Sequence, residues 1–222
     1  LHVAAYAHLI ETLGMPESTY SEFLEYQTMA DKHEYFMELS AANGTPESVA
    51  TNIAAFSAFT EGMQLFSSFI MLLNFPRHGK MKGMGQIITY SIRDESLHVE
   101  AMTKLFREFI QENIDIWTDD FKGEIYQACR EMVDLEDRFL DLVFEQGDIV
   151  GLTKKEMQQY IRYIADRRLL QLGLKPNYKV KDNPLNWLDD VLGVEHQNFF
   201  EGRATTYMKA GLRGNVEKVK FA

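Results

Sequence analysis

Between Glu47 and Arg77 the chain carries a single charged residue, Glu61, in a run of apolar and small polar positions. At helical spacing Glu61 shares a face with Ala54, Ala58, Leu65, Phe69 and Leu72. Thr45-Pro46 ahead of the run is a cap followed by proline at the first helical position. The pattern predicts a long helix from there to about Leu73, then a turn at Pro76-Arg77-His78-Gly79-Lys80. A second long helix is predicted from near Gly83 and Gly85 to about Asn113. Its apolar face runs through Ile88, Ser91, Ile92, Val99, Met102, Leu105, Phe106 and Phe109. Glu95 and His98, three residues apart and so about one turn apart, interrupt that face.

The remaining pattern is also helical. A first helix ends near Leu13, stopped by Gly14 and Pro16, with His2, Tyr6, Leu9 and Leu13 along one side. A second covers about 18–40, with Phe23, Tyr26, Ala30, His33 and Met37 as inward positions. A later helix spans about 119–146 on Phe121, Ile125, Met132, Leu135, Phe139, Leu142 and Val143. Another starts at a Thr153 and Glu156 capping box and reaches about Leu172. From Gly173 onward breaks are frequent, and only about 186–191 and 199–208 read as short helices. No segment alternates with period two. The expectation is an all-α helical bundle forming one domain over 1–222, less regular in 173–222. Because Leu1-His2-Val3 is already within a helical pattern, the chain reads as the C-terminal portion of a longer protein.

Composition narrows the function classes. A formal charge of -10, with no basic block, argues against a nucleic-acid partner. The single cysteine, Cys129, excludes an internal disulfide framework and fits a reducing, cytoplasmic setting. The apolar stretch at 53–75 is long enough for a membrane span. It nevertheless contains Ser57, Thr60, Glu61, Gln64, Ser67, Ser68 and Asn74 and lacks basic flanks on both sides, so a buried helix is expected and no membrane.

Glu61 and Glu95 pose an energetic problem. An unpaired buried charge costs several kcal/mol, against a net stability of roughly 5–15 kcal/mol for a whole domain. Arg93 is the nearby cation in sequence, two residues before Glu95 and off its face. A metal ion compensates better: Glu on one helix with Glu-x-x-His on another is half of a carboxylate-bridged dinuclear motif, and such donors suit iron or manganese. Alone, a Glu-x-x-His on a helix is usually a solvated pair, and a lone Glu often finds an arginine elsewhere in the fold. The conjunction of Glu61, Glu95 and His98 at mid-height of two long helices favours the metal site. His8, His33, His78 and His196 lack a carboxylate at ligand spacing and read as surface or structural.

The segment Arg93-Asp94-Glu95-Ser96-Leu97-His98 resembles the R-D-E-x-x-H segment of the radical-generating small subunit of class I ribonucleotide reductase. Three further stretches match in register. His2-Val3-Ala4-Ala5-Tyr6, followed by Ile10-Glu11-Thr12-Leu13-Gly14, is similar to the family's first histidine and radical-bearing tyrosine. Glu61 stands at the family's distance before Glu95, and Asn183-Pro184, Trp187, Glu201-Gly202-Arg203 and Tyr207 resemble its C-terminal region. The resemblance implies a ferritin-like bundle holding two metal ions, iron first, with manganese or a mixed pair also accepted. Tyr6 argues against the tyrosine-less mixed-metal variants.

Carried over, His2, Glu61, Glu95 and His98 would be metal ligands and Tyr6 the radical site. Asp94 would hydrogen-bond His2 and join the electron route to the large subunit, and Leu65, Phe66 and Phe69 would line a dry pocket. Leu65 and Ser91 depart from the family's usual Phe and aliphatic residue, and Ser91 would admit water. The implied role is the small subunit of ribonucleoside-diphosphate reductase, an oxidoreductase and homodimer whose radical serves the large subunit. An Asp ligand, one further Glu ligand and the C-terminal docking tail have no match in the chain. The alternatives are another ferritin-like dimetal oxidase or an iron-handling protein.

Overall fold

The computed structural model describes residues 2–40, 44–145 and 147–188, with the side chains of His2, Phe23, Leu24 and Ser40 outside that description. The chain divides into one compact unit, residues 1–185, and a second, residues 186–222. Every element below lies in the first. In order they are α1 (His2–Thr12), two 3-10 turns (Glu17–Tyr20 and Glu22–Glu25), α2 (Gln27–Ser40), α3 (Pro46–Ile53), a π-helical segment (Ala54–Gln64), α4 (Leu65–Arg77), α5 (Lys82–Glu112), a 3-10 turn (Ile114–Ile116), α6 (Asp119–Val143) and α7 (Lys154–Gln171). The described residues form no strand, only an isolated bridge between Ile149 and Leu152. The protein is an all-α bundle.

Local chemistry sets the boundaries. Thr45 accepts from Ser48 N with Pro46 in the first turn, and Thr118 accepts from Phe121 N. Thr153 and Glu156 form both halves of a capping box. α3, the π segment and α4 continue as one helix, Pro46–Arg77, which includes Pro76 in its last turn. It is long and apolar enough to cross a bilayer, but 67% of its apolar window is buried inside the bundle. Ala50, Ala58, Phe59, Met63 and Ile70 are wholly covered. α5 follows after the short turn 78–81 and packs back along the π segment and α4. On the other side the π segment meets α6 and α7.

The π segment is the departure from the pattern expected of an uninterrupted α-helix. Its i→i+5 bonding, seen where Leu65 N–H reaches Thr60 O, changes the angular register on either side of Glu61. α7 holds this segment from behind. Arg168, 9% exposed, donates from Nε to Gly62 O at 2.8 Å, and its guanidinium lies over the Phe66 ring. A Cβ on Gly62 would stand 2.6 Å from Arg168 Nε and 3.0 Å from Ser57 O. Glycine is therefore required by close approach at this position.

The helix expected over 18–40 is instead two 3-10 turns followed by α2, and its inward face differs. Tyr26, Ala30, His33 and Met37 are exposed, while Lys32, Tyr35 and Phe36 turn toward the bundle. The cause is a buried acid on α6. Glu136 has no exposed surface, and it receives Lys32 Nζ at 2.7 Å and the Ser67 hydroxyl. Lys32 also caps the Phe139 ring. Asp166 on α7 is likewise buried and accepts backbone N–H groups of Asn177, Tyr178 and Val180 at 2.7–2.9 Å, which orders the segment after Gly173. On α5, Leu105 is exposed, whereas Thr103 is buried and bonded to Val99 O.

Two outcomes follow for stability. Gly62→Ala should destabilise the protein by about 1–3 kcal/mol through overpacking against Arg168, measured by urea unfolding. Burial holds the Glu136 carboxyl above the usual carboxylate range, with Lys32 and Ser67 pulling it back. A raised folded-state pKa means that the folded protein holds the proton more tightly than the unfolded chain, so stability is lost as pH rises through it. Lys32→Ala strands the carboxylate and should cost about 3–5 kcal/mol at neutral pH. That loss should shrink as pH falls and Glu136 protonates, which unfolding curves at a series of pH values would record.

Candidate metal centre

Glu61 comes from the π segment, and Glu95 and His98 come from neighbouring turns of α5. One ligand atom from each lies within 4.8 Å of the others. His98 Nδ1 stands 2.9 Å from Glu61 Oε2 and 3.9 Å from Glu95 Oε2. The two carboxylates are mostly covered, with side-chain exposures of 15% and 19%, while His98 is 52% exposed.

The Glu61–His98 approach is close in distance but is not a hydrogen bond. Glu61 Oε2 is buried and has no hydrogen-bond partner among the described residues. The two atoms are within ion-pair distance, but the contact lacks hydrogen-bond geometry. Burial holds the Glu61 carboxyl above the usual range, the His98 charge lowers it, and the Glu95 charge raises it again. Two acids and an imidazole with a bare buried oxygen are a donor set that fits a hard or borderline divalent cation. An added positive charge would relieve both the burial cost and the repulsion between the acids.

Tyr6 reaches the same neighbourhood from α1. Its phenol oxygen lies 2.8 Å from Ser91 Oγ, and Ser91 Oγ also donates to Ile87 O at 3.1 Å. Burial raises the Tyr6 pKa, the Ser91 hydrogen bond lowers it, and the Glu95 charge raises it. Position 91, expected to admit water, presents a 2% exposed hydroxyl bonded to the candidate radical residue. This partner was missed because a serine in an apolar stripe reads as a gap. Its spacing of four before Glu95 and its place opposite Tyr6 were the available signals.

Phe66 and Phe69 are buried and meet edge to face at 6.0 Å between ring centres. Leu65 beside them is half-buried. Asp94 is exposed, and its Oδ1 accepts from Arg93 Nε and Nη2 at 3.3 and 3.2 Å. The side chain of His2, and with it the expected contact to Asp94, lies outside the described residues. So do the expected positions His196, Glu201-Gly202-Arg203 and Tyr207. His8 is a surface residue 3.7 Å from Glu11 Oε2. Burial pushes the Cys129 thiol up to about 12, leaving it inert as a nucleophile.

Comparison with known proteins adds a match over residues 1–184 to the family model described as ribonucleotide reductase, small chain. The chain belongs to that family. A probable ribonucleoside-diphosphate reductase small subunit of Invertebrate iridescent virus 3 is 45% identical over 97% of this chain and 62% of its own length. A ribonucleoside-diphosphate reductase subunit beta of Chlamydia pneumoniae is 30% identical over 95% of this chain and 64% of its own. The chain thus spans somewhat under two thirds of these relatives. Among solved structures, a ribonucleotide reductase R2 subunit from Clostridium botulinum superposes with a TM-score of 0.78 at 26% identity, over 84% of this chain and 61% of that one. A dimanganese(II) protein from Streptococcus sanguinis shares the fold with a TM-score of 0.70 at 22% identity, over 86% of this chain and 65% of its own. The bundle is therefore ferritin-like in this family's manner.

Glu61→Ala should lower metal affinity by at least about 10–100-fold, the range seen even for outer-shell changes. Equilibrium dialysis with Mn(II) or Fe(II) would measure it. The same metal should raise the melting temperature of the parent protein by mass action and that of the variant much less.

Proposed function

We propose that the chain belongs to the small subunit of ribonucleoside-diphosphate reductase, an oxidoreductase, and that its site generates and keeps a tyrosyl radical on Tyr6. What supports this most is one juxtaposition: Glu61, Glu95 and His98 converge on a bare carboxylate oxygen while the Tyr6 phenol is hydrogen-bonded one turn along the same helix. Glu61, Glu95, His98 and His2 would ligate two metal ions, iron first, with manganese or a mixed pair accepted by the same donors. When bound, that pair supplies the one-electron oxidation of Tyr6.

The chain's own residues do the rest. α5 fixes Glu95 and His98 one turn apart, and the π segment brings Glu61 across to them. Phe69 and Leu65 would help keep reductants and water from the oxidised ring, whereas Phe66 lies under the Arg168 guanidinium on the α7 side. Asp94 would orient His2 and carry charge toward a large subunit, where ribonucleotides are reduced. A cytoplasmic homodimer meeting that partner is the assembly this reading entails. The cofactor chemistry is the metals' own; the protein contributes position, insulation and a hydrogen bond.

Tyr6→Phe in the full-length protein, loaded with metal and mixed with its large subunit, should abolish both the tyrosyl electron-paramagnetic signal and deoxyribonucleotide formation. Metal content should stay unchanged. Activity and signal that survive the substitution would sink the reading.

A further inference from the structure

Ser91 occupies the buried face of α5, one turn before Glu95. Its hydroxyl has one proton to donate and two lone pairs to accept with. The proton is committed to the Ile87 carbonyl, one turn back at 3.1 Å. The Tyr6 oxygen stands 2.8 Å away on another side. Either oxygen can be the donor there; with the Ser91 proton on Ile87 O, the phenol donates and Ser91 accepts.

We propose that Ser91 is a positioning residue for Tyr6, holding the phenol as acceptor in the reduced protein and turning to donate to the same oxygen when Tyr6 is a phenoxyl. The proposal rests on the reading of Tyr6 as the radical site. A phenoxyl oxygen has no proton and can only accept, so the reduced-state arrangement cannot persist unchanged. A serine hydroxyl rotates between staggered positions. Leaving Ile87 O costs little, because that carbonyl lies inside α5 and keeps its own helical bond. An aliphatic side chain at 91 would present nothing but a dry wall to the radical oxygen.

Forming the phenoxyl breaks the Tyr6 O–H bond and removes one electron and one proton. Ser91 retains neither, since its own proton is engaged and its oxygen is not basic at neutral pH. The electron would go to the metal pair that Glu61, Glu95 and His98 would hold, and the proton to a carboxylate of that ligand set, Glu95 being the one whose charge bears on Tyr6.

The test uses the full-length, metal-loaded protein exchanged into D2O, read by high-field electron paramagnetic resonance and deuteron double resonance. The parent radical should show one strongly coupled exchangeable deuteron. Ser91→Val should lose that coupling and move the largest g-value upward, while Ser91→Thr restores both. A coupling that survives in Ser91→Val, or is absent from the parent, overturns the proposal. In the metal-free protein, melting temperatures of Tyr6→Phe, Ser91→Val and the double variant should be non-additive, because each single change breaks the same bond. Strict additivity would count against the hydrogen bond itself. A tyrosyl signal that persists in Tyr6→Phe would instead remove the radical assignment, and with it the donating role of Ser91.

Discussion

A carboxylate in an apolar helix interface is unstable until donors or a positive charge reach it, and the described residues meet that constraint in different ways. Glu136 is answered within the protein by Lys32 and Ser67. α2 turns a face toward α6 that apolar spacing does not predict, so that a lysine can be buried. Glu61 is answered differently. His98 stands at ion-pair distance from it, Glu95 adds a like charge, and one buried oxygen has no hydrogen bond among the described residues. Thr19 and Thr60 also have buried hydroxyls without hydrogen-bond partners among the described residues. A neutral hydroxyl in that condition costs about 1–3 kcal/mol, whereas an uncompensated charge costs several per ion. The magnitude separates an imperfection of packing from a place where a cation belongs.

Position depends on an irregularity of the backbone. Eleven residues of the central helix bond i→i+5, and Glu61 lies within them. Such turns cost regular hydrogen bonding and commonly mark functional sites. Here they are braced from outside, because Arg168 occupies the Gly62 carbonyl and fills the space that a Cβ would need. The guanidinium is itself costly to bury, and burial lowers its pKa to about 10. A cation held this way on the far side of the helix gives Glu61 a fixed direction toward α5.

Much of this was legible in the sequence because the signals were local or periodic. Thr45-Pro46, the Thr153 and Glu156 box, the solitary Glu61 and the Glu95/His98 pair each follow from spacing alone. The π segment was not legible, since a helix buried nearly all round has no polar stripe against which a register change could be seen. The face of α2 was misread because its determinant, Glu136, lies 104 residues away from Lys32. Asp166 escaped notice for a similar reason: its partners are backbone amides of a segment with no periodic pattern. The role of Ser91 depends on α1 and α5 meeting, and that meeting is tertiary.

Insulation and reactivity then pull against each other at Tyr6. The burial that would protect a radical also raises the phenol's pKa, and the charge of Glu95 raises it further. A phenol in that state keeps its proton at neutral pH, so its oxidation would release a proton as well as an electron. A strong base bonded to the ring would ease that departure but would hold a charge beside the radical afterwards. Serine avoids both problems. Its oxygen is polar enough to fix the phenol and too weakly basic to keep the proton. A neutral hydroxyl buried at 2% exposure, with both its contacts directed, gives the ring a hydrogen bond without giving the pocket a charge.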